Sequence, residues 1–377
     1  MVSLILPGVA LGVSKNTIYH GKAKDGADVT QAQGSPQLEE DAGRKTRRAM
    51  VRATALGLAA GAILLFYLLK KYHWQEILQA VAAAGWGVLW VSAYRFVTIA
   101  TEAAGWRELW SPEAKPQILP LWLIRWIGEA VNSLFPVAQV GGAVVRARLL
   151  GEVQDDFVSA AAATIVDFTI GVFAQAVYTI LGIALLFRAA HSPVRGLNDV
   201  LLAVVGFLIL ALAALYAAQR HGVLQKLAGT LQKTLAGSLR SITGQVQSGA
   251  QALDAALKEL YARRSAIARC TAWRLAATML YTGETWLAMH FLGAEVSWSD
   301  ALILESLGRT VRSMAFPVPA GLGVQEGGFL LIGSALGIAP PLSLALSLVK
   351  RAREILVGLP GLAAWGLLEG KKIRRAG

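Results

Sequence analysis

Residues 128–142 read Gly128-Glu129-Ala130-Val131-Asn132-Ser133-Leu134-Phe135-Pro136-Val137-Ala138-Gln139-Val140-Gly141-Gly142, and Arg146 follows. The stretch is apolar enough for a bilayer, yet a proline and a glycine pair interrupt it. Proline removes a backbone donor and breaks a helix, and the glycines permit a sharp reversal. Backbone freed at membrane depth must be buried in protein or line a wet cavity. The reading favoured for 119–150 is therefore a re-entrant hairpin, with two ordinary spans as the alternative. A second copy lies within 298–338: Arg309-Thr310-Val311-Arg312-Ser313-Met314-Ala315-Phe316-Pro317-Val318, then Pro319, Gly321, Gly323, Gln325 and Glu326. The shared Phe-Pro-Val and trailing glycines relate the two.

Around these stretches lies a membrane sequence. Of 377 residues, 55% are hydrophobic and only 16% charged, whereas soluble chains carry about 25% charged residues. The same numbers exclude disorder over most of the chain. A single cysteine, Cys270, excludes a disulfide scaffold. A helical crossing takes about 20 apolar residues, and 51–69, 85–105, 157–187, 201–218, 266–292 and 341–368 each qualify. The expected fold is all-α: a polytopic integral membrane protein of six to eight transmembrane helices with two re-entrant hairpins. Each hairpin follows two crossings and precedes one, so the halves form an inverted repeat, a recurring transporter design.

The expected organisation runs in order along the chain. Residues 1–50 form a polar, disordered cytosolic tail, and 51–218 hold the first membrane repeat plus the first span of the second. Residues 219–265 form a cytosolic amphipathic helical segment, 266–370 complete the second repeat, and 371–377 are a basic cytosolic tail. The formal net charge is +12. Lys and Arg concentrate in 1–50, 219–264 and 371–375, which places both termini in the cytoplasm by the positive-inside rule. The leucines of the amphipathic segment either lie on the anionic inner leaflet or pack under the protein itself.

Arg95, Glu102, Arg125, Glu129, Asp167, Arg274, Glu284, Glu305, Arg309, Arg312 and Glu326 sit within or beside apolar stretches. A charge at the bilayer centre costs about 2.5–3.5 kcal/mol on insertion scales. Arg95, Glu102, Arg274 and Glu284 read best as internal ion pairs. At the two breaks the better reading is a polar pocket for a lipid headgroup or coupling ion. Its candidate residues are Glu129, Asn132, Pro136, Gln139, Gly141, Gly142 and Arg146 from the first break. The second break supplies Arg309, Arg312, Pro317, Pro319, Gly321, Gly323, Gln325 and Glu326. The histidines are scattered, no cysteine pair exists, and neither a His-Glu-x-x-His nor a Walker A sequence occurs. No metal, cofactor, enzymatic activity or nucleic-acid partner is therefore expected.

The run 132–142 with Val145-Arg146-Ala147-Arg148, and later Phe316-Pro317-Val318-Pro319-Ala320-Gly321-Leu322-Gly323-Val324-Gln325-Glu326, resemble the paired signatures of the lysylphosphatidylglycerol synthase transmembrane-region family, also called flippase-like. The resemblance spans about 51–368, and the first motif is most similar to the branch associated with hopanoid biosynthesis. It implies a bacterial inner-membrane protein that moves a phospholipid or hopanoid between leaflets. A second reading is a non-transporting partner of lipid-biosynthesis enzymes. Relatives often carry an acid just after the first glycine pair, where this chain has Ala143; Glu129 or Glu152 would have to replace it. The aminoacyltransferase domain of the best-studied relatives has no room here, so lipid aminoacylation is not expected.

Overall fold

From Phe157 to Ala189 only Asp167 and Arg188 carry a charge, and the run folds as one 33-residue helix. At about 1.5 Å per residue it extends roughly 50 Å, more than the roughly 30 Å hydrocarbon core. It is one of eleven α-helices among the residues that the computed structural model describes: 74–135, 141–189, 197–220, 240–315, 321–376 and a few positions before 74. In chain order they are α1 (Trp74–Ala84), α2 (Gly87–Arg107), α3 (Ile118–Leu134), α4 (Gly141–Gln154), α5 (Phe157–Ala189), α6 (Leu197–Arg220), α7 (Arg240–Ala262), α8 (Arg264–Phe291), α9 (Trp298–Met314), α10 (Val324–Ala335) and α11 (Pro340–Ala376). No strand occurs among the described residues. The expected tail 1–50, the span 51–69 and most of the leucine series 221–239 lie outside them.

Six stretches are apolar enough by sequence, yet by unbroken length and low charge only α5 passes as a membrane span among the described helices. The difference has a physical cause. Helices α2, α8 and α11 bury Arg95, Glu102, Glu284, Lys350, Arg353 and Glu354 along their lengths, so their mean hydropathy understates how apolar their outer faces are. Leu89, Trp90, Val97, Trp273, Ile355 and Leu359 supply those outer faces.

Both broken stretches fold as antiparallel helix pairs, 17 and 14 residues long in α3–α4 and 17 and 12 in α9–α10. Glycines set the approach. A Cβ on Gly142 would strike the Gly128 carbonyl and Asn132, and one on Gly128 would meet Arg146 Cγ at 2.6 Å. In the second pair, Gly308 faces Phe329 and Gly328 faces Val311. Gly321 and Gly323 have φ of +60° and +78°, a left-handed conformation that favours glycine.

Two large apolar clusters bracket the charges. One gathers Val91, Leu186, Met289, Leu304 and Leu346; the other gathers Trp106, Leu121, Leu150, Val166 and Cys270. Arg95 and Glu102 lie between Val91 and Ala103 on α2, and Arg274 to Glu284 lie between Cys270 and Ala288 on α8, so the charges occupy the helices' middles. Helix α7 sends Leu253, Leu257 and Leu260 into the second cluster, which means its apolar face packs on the protein itself.

Candidate functional site

Helices α2 and α8 form the most extensive pairing in the fold, alongside α3 with α11 and α5 with α9. Across the first pair the charges reciprocate: Arg95 Nη1 lies 3.6 Å from Glu284 Oε2, and Arg274 Nη1 lies 2.8 Å from Glu102 Oε1. Tyr281 on α8 donates its hydroxyl to Glu102. Asp167 of α5 is fully buried and meets three arginines: Arg125 Nη1 at 2.8 Å, Arg146 Nη1 at 3.1 Å and Arg274 Nε at 3.5 Å. In the other half Lys350 of α11 takes the central place, 2.5 Å from Glu305 and 3.7 Å from Glu284. Arg353 Nη2 reaches Glu284 at 3.1 Å, Arg95 Nη2 reaches Glu129 at 2.5 Å, and Arg312 pairs with Glu354. Buried ions on this scale need partners, since desolvation costs several kcal/mol per ion.

These groups face a cavity of about 490 Å³. Its polar wall comes from α2, α3, α4, α8, α9 and α11. Phe168, Val172, Phe207, Leu208 and Ala211 of α5 and α6 add an apolar part to the lining. Arg95, Arg125, Arg146, Arg274, Arg309, Arg312, Lys350 and Arg353 line it, with Glu102, Glu129, Glu305 and Glu354. Behind them stand Asp167 and Glu284, so eight cations meet six carboxylates. Arg309 is the most open cation, with 35% of its side chain exposed. Its guanidinium stacks on the Tyr281 ring, 3.8 Å from the centroid, and its Nε donates to Gln175 Oε1 at 3.1 Å. The lining can grip an ionic headgroup and also meet acyl or ring carbons.

Of the residues expected from sequence, Glu129, Asn132, Arg146, Arg309, Arg312 and Gln325 line this cavity. Gly141, Gly142, Gly321 and Gly323 stand apart from it, at helix starts or in the turn. Glu326 is also apart: fully buried, it accepts from the Gly323 N–H, from Ser347 and from Arg351. Pro136, Gln139, Pro317 and Pro319 lie outside the described residues. Glu152 sits with Arg148, away from the cavity. Sequence reading passed over Gln175, Lys350, Arg353 and Glu354, although Lys350-Arg351-Ala352-Arg353-Glu354 inside an apolar run was a visible signal. No three His, Cys, Asp or Glu residues converge on a metal site among the described residues.

The fold and the buried ionic layer define an all-helical membrane protein with a polar interior. The chain matches the lysylphosphatidylglycerol synthase TM region over residues 54–361, and it belongs to that family. It is also similar to a UPF0104 membrane protein of Methanothermobacter thermautotrophicus, with 24% identity over 249 residues, covering 63% of this chain and 70% of that one. No solved structure matches.

Proposed function

We propose that this chain is a lipid translocase, not an enzyme, that carries a headgroup through the central cavity while the hydrocarbon stays against α5 and α6. One observation carries the reading: a cavity lined by buried ions is also lined by apolar side chains of α5 and α6, a composition suited to an amphiphile. Hopanoids or polar-lipid derivatives are the substrates that the motif resemblance suggests, and the bacterial inner membrane, with both termini cytoplasmic, is the setting. An inverted duplication is part of the proposal. The pairings support it: α3 packs on α11 as α9 packs on α5, α4 on α5 as α10 on α11, and α1 on α11 as α7 on α5. Exchanging the halves maps each pairing onto its counterpart, with α2–α8 at the centre, where alternating access would pivot.

Purified protein in vesicles should speed leaflet exchange of a labelled phospholipid or hopanoid. Arg146→Ala should slow it while leaving the protein folded. Unaltered exchange with intact protein would sink the proposal and favour the non-transporting partner of lipid-biosynthesis enzymes.

A further inference from the structure

The charge inventory of the cavity does not close. Arginine keeps its proton in proteins, and among the described residues the cavity and its immediate backing hold seven arginines and one lysine against six carboxylates. Protonating a carboxylate enlarges the excess, and deprotonating Lys350 still leaves one positive charge. Residues 136–140 and 316–320 contain no acid in their sequences. Arg95 and Arg353, 3% and 7% exposed, make no hydrogen bond through Nε, while Arg95 Nη1 faces Glu284 Oε2 at 3.6 Å. Buried donors left open on a surplus of cation are costly.

We infer that the cavity takes a net-anionic headgroup bearing a phosphate ester, seated against Arg309 and Arg312 with its tails along α5 and α6. The inference rests on the translocase reading for the site's use, but its chemistry comes from the surplus. Arg309 presents a guanidinium whose nearest carboxylate, Glu305 at 3.9 Å, is already engaged by Lys350. A planar guanidinium held flat on Tyr281 offers its edge as a two-donor fork, the geometry that phosphate oxygens accept. Arg312 lies three residues further on α9, on the same side of that helix, and also lines the cavity. A lysylated phosphatidylglycerol, with its added ammonium groups, is a poor occupant.

The test uses the full chain in detergent micelles, titrated separately with phosphatidylglycerol, phosphatidylcholine, lysyl-phosphatidylglycerol and soluble glycerol phosphate. Binding is read by native mass spectrometry and by melting temperature. Phosphatidylglycerol should bind about tenfold more tightly than phosphatidylcholine, and the lysylated lipid should be weakest. Arg309→Gln should reduce that preference about tenfold, and Arg309→Lys, which keeps the charge but loses the planar fork, should restore only part of it. Equal affinity for all three lipids, or preference for the lysylated one, overturns the inference. Tight binding of glycerol phosphate alone overturns the lipid assignment in favour of a soluble phosphate ester. If Arg309→Gln does not fold, the headgroup comparison on the unaltered chain still decides. Anion preference without leaflet exchange defeats the translocase reading alone; exchange without anion preference defeats this inference alone.

Discussion

Asp167 is a single, fully buried carboxylate that answers three guanidinium groups. Asp167→Asn keeps the shape and removes the charge, taking from Arg146 its carboxylate and leaving Arg125 and Arg274 to share Glu102. A cost of about 3–5 kcal/mol is expected, measured as a lowered melting temperature in detergent. Arg146→Gln leaves Asp167 two partners and should cost clearly less. Glycine supplies a matched pair at this scale. A Cβ on Gly171 would overlap the Arg274 guanidinium, whereas one on Gly206 meets nothing within 4 Å. Gly171→Ala should therefore destabilise, and Gly206→Ala should stabilise by about 0.5–1 kcal/mol; thermal melting of both variants checks the contrast. Sequence shows which charges fall in apolar runs, because that needs only neighbours along the chain. It does not show that Arg125 reaches Asp167 or that Trp126 donates to the Val357 carbonyl at 2.8 Å, since those partners are set by packing between distant helices.

At the scale of elements, the breaks were legible because Pro and Gly act locally, and helix ends follow from them. How the ends are satisfied was not legible. Asn132 Oδ1 accepts from the Gly142 N–H at 2.8 Å, so the first helix of the hairpin caps the second. Asn132→Ala should cost about 1 kcal/mol, and Asn132→Asp should recover most of it; the readout is again melting temperature. Glu326, expected in a binding pocket, instead accepts from the Gly323 N–H at the start of α10 and from Arg351. The turn after α2 offers a pH test. Burial raises the pKa of Glu108, but hydrogen bonds from Arg269 and Lys115 outweigh it and hold the carboxyl below its ordinary range. Its contribution is present above the unfolded value of about 4.3 and is lost as pH falls through the lower folded value. Glu108→Gln should thus lower stability at pH 7 by about 0.2–1 kcal/mol, with the gap to the unaltered protein narrowing as pH falls below the ordinary carboxylate range.

Over the whole molecule, the proposed duplication pairs positions of opposite charge in its two halves. Arg125, Glu129 and Arg146 stand in the first half where Glu305, Arg309 and Glu326 stand in the second, at the same spacing from Gly128 and Gly308. The central groups follow suit, Asp167 among arginines on one side and Lys350 among glutamates on the other. Across α2 and α8 each half carries an arginine before a glutamate, and their opposed directions reciprocate them as Arg95–Glu284 and Arg274–Glu102. Relative motion of the halves can then shift which partner each ion favours without leaving one bare. If alternating access uses that motion, a covalent tie across the cavity should stop transport while sparing binding. Ser133 on α3 and Ser313 on α9 both line the cavity and belong to opposite hairpins. In a Cys270→Ala background, Ser133→Cys with Ser313→Cys, bridged by a bifunctional thiol reagent, should abolish leaflet exchange and leave lipid binding in micelles within about threefold. Exchange at full speed after complete bridging would show that the hairpins do not move against each other, and the rocking of two halves would have to be abandoned.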